Sequence, residues 1–298
     1  MKERLYAHNS NHLQRLEGGN MVRKMNDLSG REWLQNSFTI WRDIRKTAEE
    51  KGLKHPAMFP EQLASRLIQC YTKKINDEEN PSVVLDPFLG VGSTILASYR
   101  LGRQGIGIEL SQEYIAATKK RLKNIQTNLE NFDSKTPNPS LFNDSAVNLS
   151  KHVKPNSVDF CVTSPPYWDI LNQRRTADDK KIRKYSNSKE DIGNIKDYKE
   201  FLGSLEVIFS SVFTVLKHKS RCAVIVMDIR KKSEFYPFHM DLSLLMQRIG
   251  FELEEFVIWD RQHEYNYMTT LGYPYVFRFN KVHEFICIFV KPNVRKYP

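Results

Sequence analysis

The chain has 298 residues, 40% of them hydrophobic, and 45 Lys and Arg against 35 Asp and Glu leave a formal net charge of +10. That length suits one large α/β domain or two small ones, and the lack of any run of about 18 apolar residues excludes a membrane-spanning helix. Cys70, Cys161, Cys222 and Cys287 lie far apart in apolar contexts, which points to buried reduced thiols and away from a disulfide framework or a zinc site.

In chain order, Met1-Lys2-Glu3-Arg4 leads into polar residues, so no secretory signal is expected and a cytoplasmic location is the default. Residues 1–28 are polar, with Gly18-Gly19 and no sustained period, and are expected to form a flexible N-terminal arm ahead of a domain over 29–298. Glu32 to Lys51, with Trp33, Phe38, Trp41 and Ile44, reads as a helix with an aromatic side, and Glu61 to Tyr71 as another entered through Pro60.

Strands and helices then alternate. Val83-Val84-Leu85 is a short apolar strand, Thr94 to Arg100 a helix closed by Gly102, and Ile106-Gly107-Ile108 a second strand ending at Glu109. A helix starts at Ser111, a suitable N-cap, and shows Ile115, Leu122, Ile125 and Leu129 on one face, before a loop at 130–139. Leu141-Phe142 is a weak strand ending at Asn143-Asp144, and Val158 to Val162 is a stronger one. Residues 198–217 carry Phe201, Leu205, Ile208, Val212 and Leu216 at helical spacing. Cys222 to Met227 is a fifth strand, Asp241 to Gln247 a short helix, and Glu252 to Trp259 and Glu284 to Val290 the last strands.

This alternation predicts a mostly parallel seven-stranded α/β sheet with helices on both faces. Ligands of such sheets bind beyond the carboxyl ends of the strands. Asp86, Glu109, Asp144, Ser164 and Asp228 fall at expected strand ends, so one sheet edge gathers the polar candidates.

Two stretches carry the chemistry. In Asp86-Pro87-Phe88-Leu89-Gly90-Val91-Gly92-Ser93-Thr94, two glycines sit between a strand and its helix, where a ligand comes close to the backbone. No Gly-Lys-Ser/Thr follows, so this is no P-loop, and the complete dinucleotide fingerprint is absent. Glu109 can accept hydrogen bonds from both hydroxyls of a ribose. The second stretch, Ser164-Pro165-Pro166-Tyr167, is a rigid turn that aims a hydroxyl, a carbonyl and an aromatic face at a planar substrate.

Together these stretches resemble the DNA amino-methyltransferases, with cofactor motif before catalytic motif as in the γ-type arrangement. The resemblance implies a Rossmann-like class I methyltransferase fold, S-adenosylmethionine as cofactor, double-stranded DNA as partner, and a cognate restriction endonuclease acting on the same site. His55-Pro56-Ala57-Met58-Phe59-Pro60 matches the family's His-Pro element. By this resemblance His55, Phe59, Pro60, Asp86, Pro87, Phe88, Gly90, Gly92, Ser93 and Thr94 cradle the methionine end of the cofactor. Glu109 takes the ribose and Asp144 the adenine amino group, although Asn143-Asp144-Ser145 is also ordinary turn chemistry. Ser-Pro-Pro-Tyr is typical of N4-cytosine enzymes, and Asp- or Asn-Pro-Pro-Tyr of N6-adenine enzymes. An adenine N6 or RNA base substrate, and an inactive DNA-binding protein of the same fold, are the open alternatives.

An exocyclic amine is a poor nucleophile because its lone pair is delocalised into the ring. Hydrogen bonds from that amine to Ser164 Oγ and the Pro165 carbonyl would orient it and offset the developing positive charge, with Pro166 stiffening the turn. Tyr167 is the expected stacking partner of a flipped base, with Trp168 close by, and water takes the proton. No Pro-Cys nucleophile and no zinc-deaminase signature occurs, and no metal is required.

Residues 171–189 hold seven Lys or Arg against two Asp, five of the ten net charges. Two insertions are candidate DNA-recognition segments: 169–197, with Arg174, Arg175, Lys180 and Lys181, and 260–282, with Arg261, Tyr265, Tyr267, Tyr275 and Arg278. Their structural alternatives are a solvated loop for the first and a hairpin with packed tyrosines for the second.

Overall fold

The computed structural model describes residues 24–53, 58–76, 78–128, 136–170, 188, 190–264 and 270–293. Helix α1 (Gly30–Asn36), strand β1 (Ile40–Trp41) and helices α2 (Ala48–Gly52) and α3 (Glu61–Tyr71) come first. Then follow β2 (Val83–Asp86), α4 (Ser93–Arg100), β3 (Gln104–Glu109), α5 (Gln112–Asn128), β4 (Ser140–Asn143), α6 (Leu149–His152) and β5 (Val158–Thr163). The last elements are α7 (Tyr198–Val215), β6 (Leu216–Val226), β7 (Ile229–Lys231), β8 (Glu234–Tyr236), α8 (Phe238–Ile249), β9 (Glu252–Asp260) and β10 (His283–Val290).

The main sheet runs β1-β9-β10-β6-β5-β2-β3-β4, with β7 and β8 as a separate hairpin. Five of its seven neighbouring pairs are parallel, and β10 runs antiparallel to both neighbours. The seven expected strands are all present in this Rossmann-like α/β sheet, and β1 adds a two-residue eighth at one edge. Alternation along the central strands sends successive side chains to opposite faces. Cys161, Val224 and Cys287 pack with α7 and α8 on one side, while Phe160, Val162, Ile225 and Ile286 meet α3 on the other.

The helix expected over Glu32 to Lys51 is replaced by α1, β1 and α2. Two capping boxes, Ser29 with Glu32 and Thr47 with Glu50, start separate helices, and Ser37 closes the first. Of the aromatic positions, Trp41 is buried but Trp33 and Phe38 are exposed, so their spacing marked no helical face. Strand β6 begins at Leu216, ahead of the expected start at Cys222, because pairing with β5 and β10 recruits polar residues that carry no apolar signal. Residues 1–23 of the expected arm lie outside the described residues. Its end docks: buried Asn26 donates to the Cys70 carbonyl at 2.7 Å, and Asp27 pairs with Arg103 at 3.1 Å.

One backbone position governs the turn into α4. Gly92 caps that helix at φ 91°, in the left-handed region, and a Cβ there would lie 2.5 Å from the Thr118 side chain. Gly92→Ala is therefore expected to lower stability by about 1–3 kcal/mol, read from denaturant melts, and an unshifted midpoint would show that the turn relaxes around a side chain.

Candidate active site

The carboxyl ends of β2, β3, β4 and β5 meet along one sheet edge, and a cleft lies there. Its lining includes Phe59, Pro87, Phe88, Gly90, Ser93, Glu109, Ser164 and Pro166, drawn from both sequence motifs. Residues distant in sequence are thus brought to one wall.

The glycine loop is held from several sides. Asp86 is fully buried and accepts from Thr94 Oγ1 at 2.6 Å, Thr163 Oγ1 at 2.6 Å and the Phe88 amide at 3.0 Å. Burial pushes its pKa up to about 6, although those three donors favour the ionised form. Ser93 Oγ donates to the Phe59 carbonyl at 2.8 Å, which ties the Phe59-Pro60 segment to the loop. Arg121 of α5 donates to the Val91 carbonyl at 2.8 Å and pairs with Glu49 at 3.0 Å.

Glu109, at the end of β3, accepts from the Gly90 amide at 2.8 Å and the Ser111 amide at 2.7 Å. Burial raises its pKa to about 7 against those two donors, and the nearby Asp86 and Asp191 carboxyls push the same way. Asp144, at the end of β4, faces its own turn, accepting from the Ser145 amide at 2.7 Å and Asn148 at 2.8 Å, with His152 Nε2 2.7 Å away. These partners hold its pKa at about 2. Its neighbours Ser145 and Ala146, and not Asp144, line the cleft. Asp86, Pro60, Gly92 and Thr94 likewise stand behind the lining and shape it. His55 lies outside the described residues.

The Ser-Pro-Pro-Tyr turn leaves β5 with Pro165 buried and Ser164 and Pro166 at the cleft. Ser164 Oγ is 3.3 Å from Tyr167 Oη, which donates to Glu284 Oε2 at 2.7 Å. Glu284 is buried in β10 and bonded to Arg261, which also pairs with Glu264 at 2.6 Å. Sequence reasoning missed Glu284; its one signal was a carboxylate opening an otherwise apolar strand. Trp168 is also placed differently from expectation. It is buried at φ 50° beside Tyr198 and Tyr236, with Lys231 Nζ 3.7 Å over its ring.

Of the DNA-contact candidates, Arg261 turns inward to two carboxylates. Tyr275 is 91% exposed, so it does not pack as a hairpin core, and Arg278 donates to the Lys232 carbonyl at 3.2 Å. Arg174, Arg175, Lys180, Lys181, Tyr265 and Tyr267 lie outside the described residues. Among the described residues no cluster of three metal-ligating side chains occurs, and no helix is long and apolar enough to cross a membrane.

A family model described as DNA methylase matches residues 4–120 and 158–298. The chain is 36% identical over 167 residues to the Type II methyltransferase M.HinfI of Haemophilus influenzae, covering 56% of this chain and 40% of that protein. It is 40% identical over 84 residues to the Type II methyltransferase M2.LlaDCHI of Lactococcus lactis subsp. cremoris, covering 28% of this chain and 29% of that one. The matches thus span less than half the length of these curated relatives. Among solved structures, a SAM-dependent methyltransferase from Methanosarcina mazei aligns over 70% of this chain and 92% of its own, at 16% identity and TM-score 0.44.

Two measurements probe this geometry. Because the Glu109 pKa rises to about 7 on folding from its ordinary 4.5, its contribution is fully present below about pH 4.5 and lost as pH climbs through 7. Relative to Glu109→Gln, the native protein should therefore lose about 2–3 kcal/mol of stability over that window, and parallel pH curves would refute the shift. Glu284→Leu removes the acceptor of Tyr167 and one partner of Arg261. The expected loss is about 1–3 kcal/mol, and a melt like that of the native protein would dismiss the network as structurally neutral.

Proposed function

The chain belongs to the N6/N4 DNA methylase family, and on that premise we propose that it methylates the N4 amine of cytosine in double-stranded DNA, using S-adenosylmethionine, within a restriction–modification system. One observation supports the cofactor above others. Among the described residues the cleft is lined by Glu109, Glu190 and Asp191 and by no Lys or Arg. A nucleotide cofactor with phosphates would meet like charge there, whereas a sulfonium with an ammonium group finds complementary carboxyls. S-adenosylmethionine supplies, when bound, an electrophilic methyl group on cationic sulfur.

The residues divide that work. Glu109 accepts ribose hydroxyls, Phe59, Pro87, Phe88, Gly90 and Ser93 shape the cradle, and Asp144 holds the turn that presents Ser145 and Ala146. Ser164 Oγ and the Pro165 carbonyl accept hydrogen bonds from the target amine, which fixes its lone pair and offsets the charge it develops. Tyr167 stacks on the flipped base, its hydroxyl tethered by Glu284 so that the ring keeps one orientation. Ser164 at the head of this turn favours cytosine over adenine by its likeness to the N4 enzymes. A restriction endonuclease of the same site, a cytoplasmic location, and DNA contacts from the 169–197 and 260–282 insertions belong to this proposal.

The deciding experiment incubates the protein with S-adenosylmethionine and unmethylated genomic DNA, digests to nucleosides and identifies them by mass spectrometry. N4-methylcytosine is expected; N6-methyladenine would overturn the base assignment, and no methylated nucleoside the DNA activity. Ser164→Ala should slow turnover by about 10²–10³ with cofactor affinity unchanged. Undiminished turnover would remove Ser164 from the chemistry.

A further inference from the structure

A second cavity, of about 480 Å³, opens between the β7–β8 hairpin and the segment leading into β10. It lies at the carboxyl end of β6, the strand that pairs in parallel with the one carrying Ser164. We propose that this cavity takes an unstacked nucleotide of the DNA near the methylated base, its ring against exposed phenylalanines and its phosphate on the rim cations. The proposal rests on the DNA methylase reading and names a nucleic-acid subsite for it.

Aromatic exposure is the first ground. Phe277 and Phe279 are 84% and 82% exposed, and Phe235 is 48% exposed, yet all three line one cavity. Single exposed apolar residues are ordinary, but a cluster of large aromatics held open to water marks a surface that meets something. Base faces suit it, because stacking on an aromatic ring is available to every base.

Charge is the second ground. Arg230 and Lys281 both stand over the Phe235 ring, with Arg230 Cζ at 5.3 Å and Lys281 Nζ at 5.2 Å from its centroid. Two cations above one exposed ring give the pairing that a nucleotide needs, a π-face beside a phosphate site. Burial and the neighbouring Arg230 lower the Lys281 pKa, and an incoming anion would relieve that. Arg278, a third cation of the lining, is held by the Lys232 carbonyl at 3.2 Å. Among the described residues the cleft at Ser164 has the opposite character, with carboxyls and no cations in its lining. The two sites therefore sort the two reactants by charge.

At the base of this cavity Asp228 is 2.6 Å from His239 Nδ1, and the His239 ring stacks on Phe285 at 3.9 Å. This gives the site a floor fixed by packing. Asp228 offsets one of the three lining cations Arg230, Arg278 and Lys281, so an uncharged aromatic peptide would fill the apolar part but leave a cationic excess, whereas a nucleotide satisfies both halves.

The test measures fluorescence anisotropy with a labelled single-stranded oligonucleotide and with a strand of the same length made of abasic linkers. Native protein should bind the oligonucleotide more tightly than the abasic strand. Phe277→Ala with Phe279→Ala should weaken the oligonucleotide at least ~10-fold and abolish that preference. Arg230→Ala with Lys281→Ala should weaken both strands and flatten the salt dependence. Equal binding of the two strands by native protein, or aromatic variants within twofold of it, would overturn the proposal. S-adenosylmethionine affinity, measured by calorimetry on each variant, should stay unchanged. Its loss in the native protein would strike the methylase reading instead, and so the two failures are told apart.

Discussion

The buried carboxylate of Asp86 is the constraint on which the site depends. Its partners are the amide of Phe88 in the glycine loop, the Thr94 hydroxyl in α4 and the Thr163 hydroxyl at the end of β5. Among the described residues no cation is bonded to it, and these donors compensate for removing a carboxylate from water. A shift in any of the three elements would break one of them. The glycine loop and the strand that leads into the Ser-Pro-Pro-Tyr turn are thus locked in one register by a group that does not line the cleft.

A second tie works from the opposite side of the sheet. Tyr167 reaches Glu284 in β10, and Glu284 is shared with Arg261 just past β9. These elements hold a half-buried polar chain, and such chains hold geometry because each member is costly to leave unpaired. Arg261 and Glu284 therefore fix the orientation of the Tyr167 ring, whereas the sequence alone marks Arg261 as a candidate DNA contact.

Particular elements show what was legible in the sequence. Val158 to Val162 and the Phe201-Leu205-Ile208-Val212 series are apolar at the strand and helix periods, and their elements stand where those periods put them. Glycine loop and Pro-Pro turn were readable because backbone constraints restrict residue choice there. The failures share a cause. Trp33, Phe38 and Trp41 mimic a helical face, but one is buried and two are exposed, since burial depends on what packs against them. Asp144 was placed at the right strand end, yet its carboxyl turned to Ser145, Asn148 and His152, a local competition that residue type does not resolve.

By itself the sequence determined the strand–helix alternation, the edge of the sheet at which polar groups collect, and the two motifs that meet there. It could do so because these are local properties: periodicity, turn chemistry and the side chains adjoining a strand end. Only the tertiary structure decided which carboxylates face the cleft and which brace it. It also turned Arg261 inward and opened a basic aromatic cavity at the end of β6, the strand beside β5. Those outcomes depend on pairings between residues far apart in the chain, such as Thr163 with Asp86 and Tyr167 with Glu284, and no local pattern records them.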